Sequence, residues 1–443
     1  MKKALSLVLT LALVILSFGT VAASAEGNKT TVTFWNNWTG GDGDVLVALV
    51  NKFNAESEDV FIDMTRSTSF ENMLQTSLPT NTAADLVLLE NRSMSTYEGL
   101  LRPMDDIWEN TSLKKEDFMS SILETCTYTD GHMYGIPFQI SALMMYYNKD
   151  LFVAAGLDPE QPPKTYEEWT EYAAKITALS TDEKPVYGSG LYYCYDVQNC
   201  AALQPAGGFM INGSGDEWTA NLLGNKGLYE GLKWMKKQYA EGYNPVEQDI
   251  GSMMINGQIG MMIDGGWTKS MLDASGMNYA MAPIPVLYSD SEFNKTCGNV
   301  TCLMLTNCAT DETALAAEKF IEWWISTGTG LEAQELTANV DYSNVTPNTE
   351  WSVSMFYLNS YLPCVNSAEY QATTELAALS AGEGVTEMYT SFRCKAKSEA
   401  IRVMKEMVQS LVFDCPAEPT DEDLDAMLAP YQQELEDALA EQY

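Results

Sequence analysis

Short strands and amphipathic helices alternate along the first part of the chain. Residues 31–35 are β-branched and aromatic, which predicts a strand. Residues 44–54 place their apolar side chains on one face, which predicts a helix. A second strand is predicted at 60–64, and the continuous apolar run at 84–89 is typical of a strand covered on both faces. This strand–helix–strand order predicts a parallel α/β sheet.

The rest of the chain is richer in helix signals. A capping box at 165–168 predicts a helix that runs to about residue 179. Further helices are predicted at 311–326, which is amphipathic, and at 395–412 and 421–441. The sequence contains no internal repeat and no low-complexity linker. A chain with two domains and no such linker is expected to cross between them more than once.

Residues 1–25 have the pattern of an export signal. Two lysines follow the first methionine, residues 4–18 are apolar, and residues 23–25 match the small-x-small cleavage pattern. The apolar run is shorter than the about 20 residues that span a membrane. We therefore expect cleavage after Ala25 and export to the periplasm or the cell envelope, with both destinations open. No cysteine lies near this site, so lipid anchoring is not expected.

Length and charge narrow the class of protein. The chain has 443 residues, and single hydrophobic cores stop growing at roughly 250–300 residues, so two domains are expected. The formal net charge is −36, which disfavours binding to nucleic acid and to anionic membrane surfaces. This charge is explained either by solubility outside the cytoplasm or by a cationic ligand such as a polyamine.

The cysteines do not form a recognisable metal site. The chain has nine cysteines and a single histidine, His132. The cysteines near residue 300 lack the C-x-x-C spacing of zinc sites, so we expect neither a metal nor another cofactor. The odd number of cysteines in a long chain favours mostly buried thiols. A loop disulfide between Cys194 and Cys200 is the alternative.

The sequence contains no motif of a common enzyme class. It lacks the G-x-S-x-G elbow of serine hydrolases and the P-loop of nucleotide-binding enzymes. The enzyme interpretation is therefore reduced to a pair of carboxylates, and 61 Asp and Glu residues always offer such a pair. A secreted glycoside hydrolase or lyase stays open as an alternative function.

A series of motifs closely resembles one known family. Residues 130–137 read D-G-H-M-Y-G-I-P, 147–152 read Y-N-K-D-L-F and 155–158 read A-G-L-D. This series resembles D-G-K-x-Y-G-I-P, Y-N-K-D-L-F and A-G-L-D of the family 1 extracellular solute-binding proteins, the capture subunits of ATP-binding-cassette sugar importers. The sequence departs from this pattern at His132, where the family usually has Lys. Weaker matches follow the family order at 33–35, 49–60, 98–105, 163–169, 256–267 and 281–285.

The resemblance implies a two-lobed, periplasmic-binding-protein-like α/β fold of type II. In this fold, mostly parallel sheets are flanked by helices, and the chain crosses between the lobes several times. The resemblance also implies a protein that is not an enzyme. It would be a monomer that captures a carbohydrate, expected to be an oligosaccharide, by hinge motion and delivers it to permease subunits. The implied crossovers lie near 143–147, 281–285 and 328–337, with lobe 1 at 27–142 plus 286–328 and lobe 2 at 147–281 plus 335–443.

Candidate ligand contacts follow from the chemistry of sugar binding. Pyranose rings pack on flat aromatic faces, and their hydroxyl groups bind planar amides and carboxylates. In open α/β sheets, ligands lie beyond the carboxyl ends of strands. The candidates at predicted strand ends are Asn36, Asn37, Trp38, Glu90, Asn91 and Gln139. The alternatives are a turn for the first three, a helix cap for the next two and backbone bonding for the glutamine.

Three further candidates come from later segments. By resemblance, Trp267 stacks on a sugar ring, because the family has a Trp after its M-x-x-x-G motif; the alternative is a tryptophan packed in the core. Tyr193 lies in a tyrosine-rich loop, which is either a second aromatic platform or a half-buried strand. Asn299 follows a glycine in a segment that resembles the family's Gly-rich strand, whose backbone amides face the ligand.

Overall fold

The structure is a computed structural model. It describes residues 29–214, 217–289, 296–326, 346–373, 385–387 and 397–440. The predicted signal peptide at 1–25 and the predicted crossover near 328–337 lie outside these residues. Among the helices of the described ranges, none combines the length and the apolar character that a membrane span requires.

The strands confirm the predictions made for the first part of the chain, where 31–35, 60–64 and 84–89 fall in the first three. The strands are β1 (Thr30–Asn36), β2 (Val60–Arg66), β3 (Leu86–Glu90), β4 (Ile136–Asn148), β5 (Tyr187–Gly190), β6 (Ile211–Ser214), β7 (Glu217–Ala220), β8 (Ile259–Gly265), β9 (Tyr279–Ala282), β10 (Thr296–Leu305) and β11 (Val385–Glu387).

The five predicted helices are also present. The helices are α1 (Gly41–Glu56), α2 (Phe70–Ser77), α3 (Ile107–Asn110), α4 (Ser120–Glu124), α5 (Lys149–Ala154), α6 (Tyr166–Thr177), α7 (Asp196–Leu203), α8 (Lys226–Ala240), α9 (Ile250–Ile255), α10 (Trp267–Ser275), α11 (Asp311–Ser326), α12 (Pro347–Met355), α13 (Leu362–Val365), α14 (Ala368–Ala372), α15 (Lys397–Asp414) and α16 (Asp421–Ala440). The predicted capping box opens α6, where the Thr165 hydroxyl accepts a hydrogen bond from the Glu168 backbone N–H at 3.2 Å.

The main sheet is mixed and is flanked by helices. Its strand order is β2-β1-β3-β10-β4-β8-β5, with β11 beside β10 and β9 beside β4, and a separate hairpin joins β6 and β7. The pairs at the two ends of the sheet, β1 with β2 and β5 with β8, are parallel. The long strand β4 runs antiparallel to β10, β8 and β9. The parallel order predicted from the sequence therefore holds for the outer strands.

The two halves of this sheet meet at the middle of β4. Glu90 of β3 lies level with Thr301 of β10, which lies level with Gln139 of β4. Slightly further along β4, Leu143 pairs with Gly265, the last residue of β8. The carboxyl ends of β3 and β8 therefore approach the same part of β4 from opposite directions.

The buried apolar side chains form two clusters. The first core surrounds β1, β3, β10 and the start of β4, and α1 and α11 pack on it. The second core contains the buried faces of α6, α8, α15 and α16. β4 contributes to both, since Met144 and Tyr146 join the first core and Met145 and Tyr147 join the second. Successive side chains of a strand point to opposite faces, so β4 links the two cores. β8 does the same, since Met262 joins the first core and Met261 joins the second.

The segment around α12 packs apart from the two long C-terminal helices. Residues 346–373 pack with the first core, which also contains Ile250, Met254 and Leu272 of the predicted lobe 2. The reason is aromatic packing, because Trp351 stacks on Trp38 and lies 5.4 Å from the ring of Phe138. By contrast, α15 and α16 pack in the second core. The predicted division into lobes, with its boundaries, stays a prediction.

The alternative interpretation of Cys194 and Cys200, a loop disulfide, does not hold. Cys194 and Cys200 are both thiols, because Cys200 is buried in the second core while the Cys194 sulfur lies 3.4 Å from Gln248 Oε1. Two other buried cysteines, Cys126 and Cys302, have sulfur atoms 3.4 Å apart without a disulfide bond.

Candidate ligand-binding cleft

A cavity of about 600 Å³ opens at the middle of β4. Gln139 and Ser141 of β4 line it, together with Glu90 at the end of β3. Trp38, shortly after β1, and Trp267, which begins α10 after β8, line it as well. Residues at or just after the ends of β1, β3 and β8 therefore line one cavity, as expected for a ligand site in an open α/β sheet. We refer to this cavity as the cleft.

A larger cavity of about 990 Å³ lies elsewhere, between residues 115–124 and 358–362. None of the nine predicted contacts lines it. The cleft is the better candidate site despite its smaller volume, because strand ends and a helix of the second core, α15, both contribute to its lining.

Five of the nine predicted contacts line the cleft. They are Asn37, Trp38, Glu90, Gln139 and Trp267. The other four, Asn36, Asn91, Tyr193 and Asn299, do not belong to its lining and are described separately below.

One wall of the cleft consists of stacked aromatic rings. Trp38 is half-buried and stacks on Trp351, with ring centroids 5.2 Å apart and an interplanar angle of 7°. Tyr357, which also lines the cleft, stacks on Trp351 at 5.8 Å. Trp351 Nε1 donates a hydrogen bond to Gln139 Oε1 at 2.7 Å, and Gln139 Nε2 donates to Ser141 Oγ at 3.2 Å. Rings and an amide held in this way lose little conformational freedom when a ligand binds.

Trp267 provides a second aromatic surface and is 37% exposed. Its indole lies over Gly265, where an added Cβ would come within 2.1 Å of the ring. The turn is held by Asp264, whose carboxylate accepts hydrogen bonds from Thr268 Oγ1 at 2.7 Å and from Gln198 Nε2 at 3.0 Å. Burial raises the pKa of Asp264. The place of the indole therefore depends on a glycine and a buried carboxyl group.

Glu90 is the centre of a charged network at the other side of the cleft. Its Oε1 accepts a hydrogen bond from Asn299 Nδ2 at 2.9 Å, and its Oε2 accepts one from Arg92 Nε. Lys397 Nζ lies 4.0 Å from the same Oε2. Burial raises the pKa of Glu90, but the Arg92 and Lys397 charges outweigh burial and hold this pKa below its usual range. Glu90 is therefore a carboxylate at neutral pH.

Three of the other four predicted contacts lie near the cleft without lining it. Asn36 is buried and its Oδ1 accepts a hydrogen bond from the Trp38 backbone N–H at 3.1 Å, so it shapes the turn that its alternative interpretation predicted. Asn91 is buried in a 3-10 turn and accepts from the Arg92 backbone N–H at 2.8 Å. Asn299 lies behind the Glu90 carboxylate.

Tyr193 lies away from the cleft lining. It packs against the second core, with its ring 5.3 Å from Phe413 and 6.2 Å from Tyr239. The sequence showed a cluster of tyrosines in this loop, but it did not show which surface of the fold the loop covers.

The sequence reasoning missed the basic residues of the cleft. Arg92, Lys397 and Lys405 all line it. Lys397 and Lys405 are eight residues apart, so they share a stripe of α15 beside its buried face. This spacing was visible in the sequence, but it does not tell which cavity the lysines face.

Comparisons with known proteins agree with this fold. The chain matches the sequence model of the bacterial extracellular solute-binding proteins over residues 48–357, which is more than half of its length. The sn-glycerol-3-phosphate-binding periplasmic protein UgpB of Escherichia coli K12 is 32% identical over 181 residues, which are 39% of this chain. The chain therefore spans only 41% of the length of that relative.

Solved structures resemble nearly the whole chain. The GacH receptor of Streptomyces glaucescens has a TM-score of 0.73 at 17% identity, covering 92% of this chain and 99% of that one. UgpB of Mycobacterium tuberculosis, solved with glycerophosphocholine, has the same TM-score of 0.73 and also 17% identity, with 92% and 99% coverage. At such identities the likeness shows the fold, which is the predicted type II periplasmic-binding-protein fold. With its two cores, its cleft at converging strand ends and its match over residues 48–357, this chain belongs to the family of bacterial extracellular solute-binding proteins.

Proposed function

We propose that this protein captures a carbohydrate outside the cytoplasm and delivers it to the permease subunits of an ATP-binding-cassette importer, without catalysing a reaction. The observation that carries the proposal is that two tryptophans, Trp38 and Trp267, line one cavity at the strand ends. Aromatic faces of this kind pack against the C–H groups of sugar rings. Asn37 and Gln139 add planar amides that suit hydroxyl groups.

A hinge motion would change the shape of this cleft, because its lining comes from elements of both cores. Near the cleft, the turn between β8 and α10 lies close to the residue that follows α12. A Cβ on Gly266 would lie 2.6 Å from the carbonyl oxygen of Phe356. We propose that the chain crosses between the lobes at 143–147 and 281–285, and that closure about these segments encloses the ligand.

Two relatives are named for, or were studied with, polyhydroxylated ligands, which supports a ligand rich in hydroxyl groups. The name of the E. coli relative refers to glycerol-3-phosphate, and the GacH receptor was studied with acarbose. We propose in addition that the signal peptide is removed after Ala25 and that the mature protein acts as a monomer in the periplasm or at the cell envelope.

The cleft supports the two alternative functions less well. A polyamine would meet three basic side chains, those of Arg92, Lys397 and Lys405, which offset the carboxyl groups of Asp42, Glu71 and Glu90 in the lining. A glycoside hydrolase needs one carboxylic acid that donates a proton, in addition to a second carboxylate. Glu90 does not suit the role of the acid, because the charges of Arg92 and Lys397 keep it ionised. Asp42, whose pKa is raised by burial, also lines the cleft, so the search for cleavage products described below tests the hydrolase.

A thermal-shift screen of the signal-free protein against mono- and oligosaccharides, with spermidine as the comparison, tests the proposed function. A ligand that binds only the folded state adds about 2.7 kcal/mol of stability at 100 times its Kd. We expect a raised Tm with at least one sugar and no change with spermidine. The Trp267→Ala variant should bind that sugar at least about 10-fold more weakly, a loss of about 1.4 kcal/mol.

Trp218→Ala is the matched control, because Trp218 lies on β7, outside the cleft lining, and is half-buried. This variant should keep the affinity of the wild type. A shift with spermidine alone would reverse the choice of ligand, and the appearance of cleavage products from a bound glycan would favour the hydrolase.

A further inference from the structure

One side of the cleft carries basic side chains that the composition of the chain does not lead one to expect. The chain has 25 Lys and Arg residues against 61 Asp and Glu residues. Even so, Arg92, Lys397 and Lys405 all line this cavity. Arg92 and Lys397 are only 6% and 7% exposed, and Lys405 is half-buried. The cationic groups therefore face the cleft rather than the bulk solvent.

Packing of α15 fixes the row of lysines. The helix buries Ala400, Met404 and Val408 in the second core. Lys397 and Lys405 lie on the adjoining stripe together with Ile401, and all three line the cleft. Because the buried face cannot rotate away from the core, the stripe keeps its direction towards the cavity.

The arrangement around Glu90 keeps the first two cations close together. Arg92 Nε and Asn299 Nδ2 each donate to one oxygen of this carboxylate. Lys397 Nζ is 4.0 Å from Oε2, which is an ion-pair distance and too long for a hydrogen bond. Glu90 therefore attracts the ammonium group without holding it by a hydrogen bond.

Lys405 differs from the other two, because it forms no ion pair with any residue in the described part of the chain. Its ammonium group is half-buried beside a cavity, where charges interact more strongly than in open water. The lining also contains the carboxyl groups of Asp42 and Glu71, but these belong to α1 and α2, whereas the three cations belong to α15 and to the turn after β3. An anion placed at the α15 side of the cleft would lie within the field of these cations.

We propose that the ligand of this cleft carries an anionic group, a phosphate or a carboxylate, on a polyhydroxylated body. The anion lies at the Arg92, Lys397 and Lys405 side, and the body packs against Trp38 and Trp267. Guanidinium and ammonium groups together are well suited to bind phosphate and carboxylate oxygens. This inference rests on the proposed function, since it names the ligand class of the same cleft.

The test compares neutral and charged probes of the same body by isothermal titration calorimetry on the signal-free protein. The pairs are glycerol with sn-glycerol 3-phosphate, and glucose with glucose 6-phosphate and with glucuronate. We expect the charged member of at least one pair to bind 10-fold or more tightly than its neutral partner. Its affinity should fall as NaCl is added, because salt screens the attraction. The phosphate and glucuronate arms distinguish the two kinds of anion.

The Lys405→Met variant should lose most of this preference, with an affinity for the charged probe at least 10-fold lower than that of the wild type. Lys175→Met is the matched control, because it removes the same charge from an exposed i,i+4 ion pair with Glu171 on α6, outside the cleft. Lys405→Gln, which keeps a polar side chain, serves if the methionine variant has a lowered Tm.

Each result decides between the two proposals. Equal binding of neutral and charged probes, or equal effects of Lys405→Met and Lys175→Met, overturns the anionic ligand and leaves the proposed function intact. Binding of neutral sugars alone has the same meaning. Failure of every calorimetry probe to bind, together with a raised Tm from a neutral oligosaccharide in the thermal-shift screen, also overturns the anionic ligand alone. Failure of every probe and of every sugar in that screen to bind a cooperatively folded wild-type protein contradicts both proposals.

Discussion

At the scale of single residues, the place of the Trp267 ring depends on the absence of a side chain at Gly265. A Cβ at that position would lie 2.1 Å from the ring, well inside van der Waals contact. The carboxylate of Asp264 holds the same turn through Thr268 and Gln198. The ring therefore has little freedom to accommodate a larger residue beside it.

The Gly265→Ala substitution is expected to move the Trp267 ring and to weaken ligand binding by about 10-fold, or about 1.4 kcal/mol. The added methyl group and the indole cannot occupy the same space, so the aromatic surface presented to the ligand changes. Intrinsic tryptophan fluorescence and calorimetry with the tightest ligand of the screen measure the two effects.

Gly231→Ala provides the control for this prediction. Gly231 lies in α8, where a Cβ would meet the end of a Leu203 side chain at 3.0 Å, and it does not line the cleft. Unchanged fluorescence and affinity in Gly265→Ala would show that the ring has another support.

At the scale of elements, the contact between α11 and α3 contains a buried carboxyl group. Glu318 of α11 is 2% exposed and accepts a hydrogen bond from Asn110 Nδ2 at 2.9 Å. Burial raises the pKa of Glu318 to about 7, against the lowering effect of the Asn110 hydrogen bond. The neighbouring Asp106 adds to the rise, and the Arg102 charge opposes it. The folded protein therefore holds a proton that the unfolded chain releases near its ordinary pKa.

This raised pKa predicts a loss of stability with rising pH. The contribution of protonated Glu318 is complete below about pH 4.5 and disappears as the pH rises through about 7. Glu318→Gln should remove this dependence and raise the free energy of unfolding at pH 8 by about 2 kcal/mol relative to the wild type. Urea unfolding at pH 5 and at pH 8 measures the difference.

Glu312→Gln is the control on the same helix, since Glu312 is exposed and its hydrogen bond from Thr30 can be kept by an amide oxygen. Equal pH dependence of the wild type and Glu318→Gln would mean that Glu318 is ionised in the folded protein.

At the scale of the whole molecule, two cores share the strands β4 and β8, and residues that pack with each core line the cleft. A compact chain of this length has a radius of gyration of about 22 Å. We expect a measurable decrease of this radius in small-angle X-ray scattering when the tightest ligand is added, because closure brings the two lobes together. An unchanged scattering curve at saturating ligand would contradict closure by hinge motion.

The elements that were predicted correctly have local sequence signals, whereas α12 depends on contacts with residues further along the chain. The strands β1, β2 and β3 and the helices α1, α6 and α16 were predicted because their signals, periodicity and caps, lie within a few residues of each other. The sequence did not predict α12, all nine residues of which are buried although many are polar. Its Asn348 and Ser352 are satisfied by Asn359, which donates hydrogen bonds to them at 2.7 and 2.8 Å. The sequence of α12 has no apolar stripe that would predict a helix.

The sequence by itself determined the class of fold, the family resemblance and the aromatic residues at strand ends, since each depends on short, ordered motifs. Only the tertiary structure decided which side chains meet in the cleft. Trp351 supports Gln139 across 212 residues of chain, and Asn299 reaches Glu90 across 209. Such contacts depend on sheet register and on the packing of α15 against the second core. No local sequence pattern encodes either of these. For that reason the cationic side of the cleft became visible only in the folded molecule.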